Sequence, residues 1–446
     1  MGVCKKSYFT NTSFMAYNIN TNTCSTQEGG FMNRTILHCD LNNFYASVEC
    51  LYNPELRDKP VAVCGCAEDR HGIVLAKNYI AKSYGVRTGE ATWEAKSKCP
   101  GLVTVRPNYS MYLKFSRYAR QIYEYYTDRI EAFGIDECWL DVSESSLLFG
   151  DGIKIANEIR ERVKNEMGVT VSIGVSYNKI FAKLGSDMKK PDAVTVITED
   201  DFKEKVWRLP VSELLYVGRS TRAKLNNLAI FTIGEMANCS SKFLVNQLGK
   251  WGNILWNFAN GYDISPVTRL DYESVIKGIG NSITTSRDLT KNEDVKILIY
   301  VLSESVGERL RRHNFKGRTV QISIRDTTLK SIDRQGKLNR HTYITSEIAA
   351  KAYEIFLNSW DWSKNIRSMG VRVTDLVEGD SYIQMSFFLE DIKRQKRETI
   401  DACVDRIRER FGHYSVQRAV LLEDEGLNAN PADDHTIFPV SYFRNS

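Results

Sequence analysis

Three carboxylates are spaced as a metal site would need them: Asp40, closing a short apolar run, and the adjacent pair Asp136 and Glu137, which follow Phe133, Gly134 and Ile135. Adjacent acids on an apolar hairpin repel one another and lose hydration, and a bound divalent cation relieves both penalties. Hard oxygen donors of this kind suit Mg²⁺. Two such ions, roughly 3.5 to 4 Å apart, activate an attacking oxygen and stabilise a leaving one, which is the arrangement of nucleotidyl transfer. That chemistry requires the strand ending at Asp40 to lie beside the strand carrying Glu137. Without the pairing, a solvated turn bearing two acids accounts for the same residues.

The surrounding pattern supplies the elements. Residues 36–40 read as a strand running into a helix at 44–52, residues 61–64 and 73–76 as further strands, and residues 78–84 as a short helix stopped by Gly85. Apolar and aromatic residues near 3.6 spacing (Tyr112, Phe115, Tyr118, Ala119, Ile122, Tyr126) predict a helix over 111–130 whose rings are core. A hairpin at 134–142, a helix at 153–167 and a strand at 169–175 complete a mixed α/β sheet domain. Residues 200–262 show short helical patterns broken by Gly218, Gly234, Gly249 and Gly261 and predict a small all-helical module. Residues 277–377 predict the order βαββαβ, a ferredoxin-like split unit. An amphipathic helix near 393–411 and an acidic end follow.

Composition bounds the class. With 446 residues, 42% hydrophobic, 26% charged, 28 Gly and only 9 Pro, collagen-like, disulfide-stapled and wholly disordered chains are excluded, and two to four domains are expected. Ten cysteines lack paired CxxC spacing, so reduced, structural thiols are expected rather than zinc. No stretch approaches the roughly 18 apolar residues of a membrane span, so a cytoplasmic protein with no membrane partner is expected. Residues 1–31, rich in Asn, Thr and Ser, predict a flexible extension, with Met32 an alternative start. The net charge of +5 is modest, but residues 277–377 hold 18 Lys and Arg against 11 Asp and Glu. Such a block is a candidate surface for a phosphate backbone.

The strings Asp40-Leu41-Asn42-Asn43-Phe44-Tyr45-Ala46-Ser47-Val48-Glu49 and Gly134-Ile135-Asp136-Glu137-Cys138-Trp139-Leu140-Asp141 resemble the two acidic motifs of the Y-family translesion DNA polymerases of UmuC/DinB type. The similarity continues through Lys59 to Val63, Ala81 to Arg87, Ser186 to Pro191 and Val217 to Arg219, in the family's order. The resemblance implies an α+β multidomain, right-hand polymerase: a ferredoxin-like palm (34–43 and 104–198), small fingers (44–103), a helical thumb (199–262) and a βαββαβ little finger (275–377). A flexible N-terminal extension (1–33) precedes these, and a C-terminal tail (378–446) follows.

The family's roles, carried over, give Asp40, Asp136 and Glu137 as catalytic ligands of two Mg²⁺ ions, with the Leu41 carbonyl as a further ligand. Tyr45 becomes a steric gate that leaves no room for a ribose 2′-OH. Lys190, Tyr79 and Lys82 become contacts to the incoming dNTP. Lys82 stands where the family often has Arg, and Ala76 where it often has a hydroxyl residue, and lysine cannot form the bidentate fork of arginine. Arg219 and Arg222 of the thumb and Arg318 and Arg325 of the little finger are candidate contacts to primer-template DNA. Gln384, Met385, Phe387 and Phe388, in the string Gln384-Met385-Ser386-Phe387-Phe388, resemble the pentapeptide with which bacterial polymerases bind the sliding clamp. A monomeric, low-fidelity translesion polymerase working in DNA damage tolerance, with possible accessory SOS proteins, is the implied function. The alternative is a non-catalytic adaptor linking DNA, clamp and another polymerase, and the presence of all three carboxylates argues against it.

Overall fold

The computed structural model describes residues 34–65, 72–272, 275–379, 389–424 and 426–428. They form two compact units, one containing residues 34–64 and 73–272 and the other residues 275–379, 389–424 and 426–428. The first unit runs β1 (Ile36–Leu41), α1 (Phe44–Tyr52), β2 (Val61–Cys64), β3 (Val74–Lys77), α2 (Tyr79–Ser83), α3 (Thr92–Lys98), β4 (Val103–Val105), α4 (Tyr109–Glu124), β5 (Ile130–Ala132), β6 (Glu137–Asp141), α5 (Ser146–Phe149), α6 (Gly152–Met167), β7 (Val171–Ser176), α7 (Lys179–Met188) and β8 (Val194–Ile197). It continues through α8 (Phe202–Val206), α9 (Arg219–Asn227), α10 (Ile233–Asn238), α11 (Ser241–Leu248) and α12 (Lys250–Ala259).

Five strands form the main sheet in the order β5-β6-β1-β7-β8, with β1 antiparallel to both neighbours. Every residue of β1 is buried, because both faces of the sheet are covered. Side chains alternate between those faces. Leu37, Cys39 and Leu41 join the core made with Tyr112 of α4 and Ile155, Ile159 and Val163 of α6. Ile36, His38 and Asp40 point the other way, toward α7, where Ile36 packs with Trp139 and Ala182. Asp40 therefore shares a face with the helix that follows β7.

That helix lies unusually close to the sheet. A Cβ on Gly174 of β7 would stand 1.8 Å from the Ala182 carbonyl oxygen, so only glycine admits α7 at this distance. The helix begins at Asn178, whose side chain accepts from the Phe181 N–H at 2.8 Å. Neither α7 nor β8 is marked by the sequence periodicity. The helix is only ten residues long, and its polar stripe, Lys179 and Lys183, is paired with Glu131 and Glu137 rather than turned to solvent.

The aromatic helix α4 starts two residues before the expected range and stops at Glu124, because residues 130–132 are taken by β5. Tyr112, Phe115, Ala119 and Ile122 are core as expected, but Tyr118 is 42% exposed. A smaller sheet, ordered β3-β2-β4, encloses Ala62, Cys64, Val74, Ala81, Val86, Ala95, Cys99 and Leu102.

The second unit realises the βαββαβ order: β9 (Gly278–Leu289), α13 (Asn292–Arg312), β10 (Phe315–Asp326), β11 (Ser331–Thr342), α14 (Thr345–Leu357) and β12 (Ile366–Glu378). The strands are antiparallel in the order β11-β10-β12-β9. Ile279, Ile283, Val320, Ile322, Ile324, Met369 and Val371 form one core with Leu298, Leu302 and Ile348 of the two helices. On the other face, Gly280, Arg372, Gln321 and Gln335 stand in register across all four strands.

Residues 389–424 and 426–428 are an integral part of this unit, where the sequence reading predicts a tail over 378–446. The helix α15 (Leu389–Phe411) turns a charged face inward. Arg394 meets Glu347 at 3.0 Å, and Asp405 meets Arg311 at 2.8 Å. Asp401 accepts from the Thr345 N–H at 2.8 Å and from Arg418 at 2.9 Å. Glu304, 5% exposed, lies between Arg408 and Arg418, each at 2.9 Å. Leu421 and Leu427 then close the core.

Candidate active site

Asp40 and Glu137 are direct partners across the β1/β6 ladder, and the Leu41 N–H donates to the Asp136 carbonyl at 3.1 Å. The turn at residues 133–136 between β5 and β6 thus brings the two acidic strings to one end of the sheet. The carboxylates do not all aim at one point. Asp40 Oδ2 accepts from Lys190 Nζ at 2.7 Å, and Glu137 Oε2 accepts from Lys183 Nζ. Among the described residues, no three His, Cys, Asp or Glu side chains already converge as a metal-ligand set. The lysines explain this, because each takes one carboxylate as its own counter-ion.

The electrostatics are those of acids gathered in a poorly hydrated place. Burial, with Glu137 nearby, pushes Asp40 up to about 6, against the pull of Lys190. Burial and the repulsion of Glu137 and Asp40 push Asp136 up to about 7. Burial would also raise Glu137, but His38 and Lys183 outweigh it and hold this carboxyl down at about 2. His38 is fully buried, with its ring nitrogens 2.8 Å from Ser186 Oγ and 3.4 Å from Glu137 Oε2. Burial lowers its own pKa.

Tyr45 lies on the first turn of α1, stacked on Tyr112 with centroids 4.2 Å apart and planes 9° from parallel. Tyr109 meets its edge at 6.0 Å. Its phenol is raised by burial and then by the neighbouring Asp136. Tyr79 and Lys82 sit on α2, which Asn78 caps by accepting from the Ala81 N–H at 2.9 Å. Lys82 lies over the Tyr79 ring at 5.6 Å. The Tyr79 phenol is raised by burial and feels both Lys190 and Asp40, so α2 reaches the same end of the sheet. Ala76 is half-buried in β3 opposite Val63.

Sequence reasoning identified Lys190 and missed its immediate company. Lys190 also contacts Asp187 at 2.9 Å. Burial opposes its charge, while Asp40 and Asp187 outweigh burial and raise its pKa. Lys183 and His38 were equally unmarked, since a lysine in a helix and a histidine in a strand carry no motif until the sheet is assembled.

The impB/mucB/samB family model matches residues 39–187, and the model of that family's C-terminal domain matches residues 276–387. The chain is 75% identical over 397 residues to the DNA polymerase IV of Acetivibrio thermocellus, covering 89% of this chain and all of the relative. It is 37% identical over 400 residues to the DNA polymerase IV of Clostridium acetobutylicum, with coverage of 88% and 100%. The chain belongs to the UmuC/DinB-type Y-family of DNA polymerases. In fold it resembles a solved Y-family DNA polymerase chimera of Dbh and Dpo4, with a TM-score of 0.67 and 23% identity, over 77% of this chain and 99% of that one.

The remaining expected Y-family residues are spread over both units. Arg219 and Arg222 are exposed on α9, whose N-cap is Gly218. Arg222 lines a cleft with Arg208, Ser212 and Asn226. Arg318 and Arg325 both lie on β10 and are half-buried, donating to the carbonyls of Leu338 at 3.1 Å and Leu329 at 3.3 Å. Gln384, Met385, Phe387 and Phe388 lie outside the described residues. No described helix is long and apolar enough to cross a membrane.

Proposed function

We propose that this chain is a template-directed DNA polymerase performing translesion synthesis, joining a dNTP to a primer 3′-OH at the end of β1. The observation that carries the reading is the cross-strand placement of Asp40 and Glu137, with Asp136 on the adjoining turn. Two of the three acids are held protonated more readily than ordinary carboxylates by burial and mutual repulsion, which is the strain that divalent cations relieve. The donor set fits Mg²⁺: Asp40, Asp136, Glu137 and the Leu41 carbonyl would hold two ions. When bound, these supply Lewis-acid activation of the 3′-OH and stabilise the leaving pyrophosphate.

The protein's own groups do the rest. Lys190 leaves Asp40 for the triphosphate and neutralises part of its charge, as preorganised cations do in phosphoryl transfer. Tyr79 and Lys82 approach the same phosphates from α2. The Tyr45 ring, fixed by its stack on Tyr112, closes the space beneath the sugar and favours deoxyribose. Residues 34–43 and 104–198 act as palm, 44–103 as fingers, 199–262 as thumb and 275–377 as little finger. Arg219, Arg222, Arg318, Arg325 and the open face carrying Arg372 supply phosphate contacts. Gln384 to Phe388 dock a sliding clamp, and the polymerase works as a monomer in the cytoplasm.

Primer extension by wild type and Asp136→Ala tests the site: loss of synthesis is expected, and undiminished synthesis rejects the assignment. A pure adaptor would bind DNA without metal-dependent dNTP binding.

A further inference from the structure

We infer that Asn42 is the positioning residue that sets where Lys190 presents its charge, joining the carboxylate end of β1 to the cationic loop after α7. The inference rests on the reading of Lys190 as a triphosphate contact. Asn42 lies two residues past Asp40, is 1% exposed, and has all four of its polar atoms engaged. Its main-chain N–H donates to the Thr170 carbonyl at 2.8 Å, and its own carbonyl accepts from Ser47 Oγ at 2.6 Å. Its carboxamide nitrogen donates to Ser172 Oγ at 2.9 Å. The carboxamide oxygen accepts from Thr170 Oγ1 at 3.0 Å and from the Asp192 N–H at 2.9 Å.

The last bond spans 150 residues and lands two positions beyond Lys190. Asp192 is in the left-handed region at φ 53°, and its carboxylate is already held by Arg160 at 3.2 Å and Lys164 at 2.8 Å. The loop is thus clamped from outside by α6 and from inside by Asn42. Lys190 lies two residues before this clamped position, with Nζ 2.7 Å from Asp40 and 2.9 Å from Asp187. Asn42 touches neither the three acids' oxygens nor Nζ, so it acts through the loop. The site needs an oxygen that accepts from two donors, which aspartate also provides and leucine does not.

The test is steady-state single-nucleotide extension by the full chain carrying Asn42→Leu, Asn42→Asp, Lys190→Met, or Asn42→Leu with Lys190→Met. Asn42→Leu is expected to raise the dNTP KM about tenfold, the equivalent of one to two lost hydrogen bonds, with kcat little changed. Asn42→Asp should restore most of the loss. In the Lys190→Met background Asn42→Leu should add nothing, since contacts acting through one group are not additive. The same KM factor in both backgrounds, or a loss confined to kcat, overturns the inference. A Lys190→Met chain with native KM overturns the reading of Lys190 beneath it. If Asn42→Leu fails to fold, Thr170→Val removes one of the two donors and gives the same comparison at smaller amplitude.

Discussion

Asp40 and Glu137 face each other across one pair of strands, yet each is neutralised by a different lysine from the same stretch of chain, Lys190 in the loop just after α7 and Lys183 within the helix. Asp136, next along, has no lysine bond and sits among like charges. Its charge therefore opposes folding. Replacing Asp136 by Asn is expected to abolish synthesis while raising stability by about 1 to 3 kcal/mol at neutral pH without divalent ions. Parallel extension assays and thermal melts check this. A melt unchanged or lowered contradicts it.

The stacked pair Tyr45 and Tyr112 gives a test of sugar selection. Tyr45→Ala removes the ring and the overlap that a 2′-OH would suffer, worth about 1 to 3 kcal/mol, so ribonucleotide incorporation should rise about tenfold or more. Competition between rNTP and dNTP on one template measures it.

Gly174 controls the seat of α7. An added methyl would collide with the Ala182 carbonyl and the Ser186 N–H, at 1.8 and 2.6 Å, and backbone atoms cannot step aside cheaply. Gly174→Ala should cost about 1 to 3 kcal/mol and reduce synthesis, because Lys183 and Lys190 move with the helix. Calorimetry with extension assays would show both, and a native melt would rule out the close seat.

In the second unit, Asp294 is 2% exposed and paired with Arg287 through both carboxylate oxygens at 2.9 Å. Arg287 holds its carboxyl below the ordinary range, against burial. A depressed acid contributes stability above the unfolded pKa of about 3.9, lost as pH falls through the lower folded value. Since Arg287 is 44% exposed, screening limits the effect to about 1 kcal/mol. Asp294→Asn should therefore lower stability at pH 7 and leave it little changed near pH 2, as acid-denaturation curves would report.

Truncation after residue 388 should destabilise the second unit by about 3 kcal/mol or more. Glu304 would lose both Arg408 and Arg418 and remain buried without a counter-ion, and the seats of Leu421 and Leu427 would open. Limited proteolysis of the truncated and full chains discriminates this from an independent tail.

The sequence makes legible the elements with a clean period: β1, α6 and the βαββαβ order follow the residue pattern, although it places the third strand of that order at 340–344 where β11 runs from Ser331 to Thr342. It also marks Asp40, Asp136 and Glu137, whose types are rare on apolar strands. What it hides is fixed by tertiary contact. Residues 179–188 are short for a helical pattern, and Lys179 and Lys183 read as surface charges until Glu131 and Glu137 are placed beside them. His38 looks like any strand residue until Glu137 is placed opposite Asp40. The helix over 393–411 reads as amphipathic, but the pattern does not show that Arg394, Asp401, Asp405 and Arg408 turn inward and find partners on α13, α14 and the segment that follows.

The central position of β1 has a consequence for biogenesis. This strand leaves the ribosome before either of its neighbours, since β6 begins about a hundred residues later and β7 about 130. Until then its edges stay open and its apolar side chains have no lid. The nascent chain must shelter Ile36–Leu41 while some 140 further residues are translated, at 5–20 residues per second. That interval, set by strand order rather than by composition, is where a holdase chaperone or a slow codon would most affect yield.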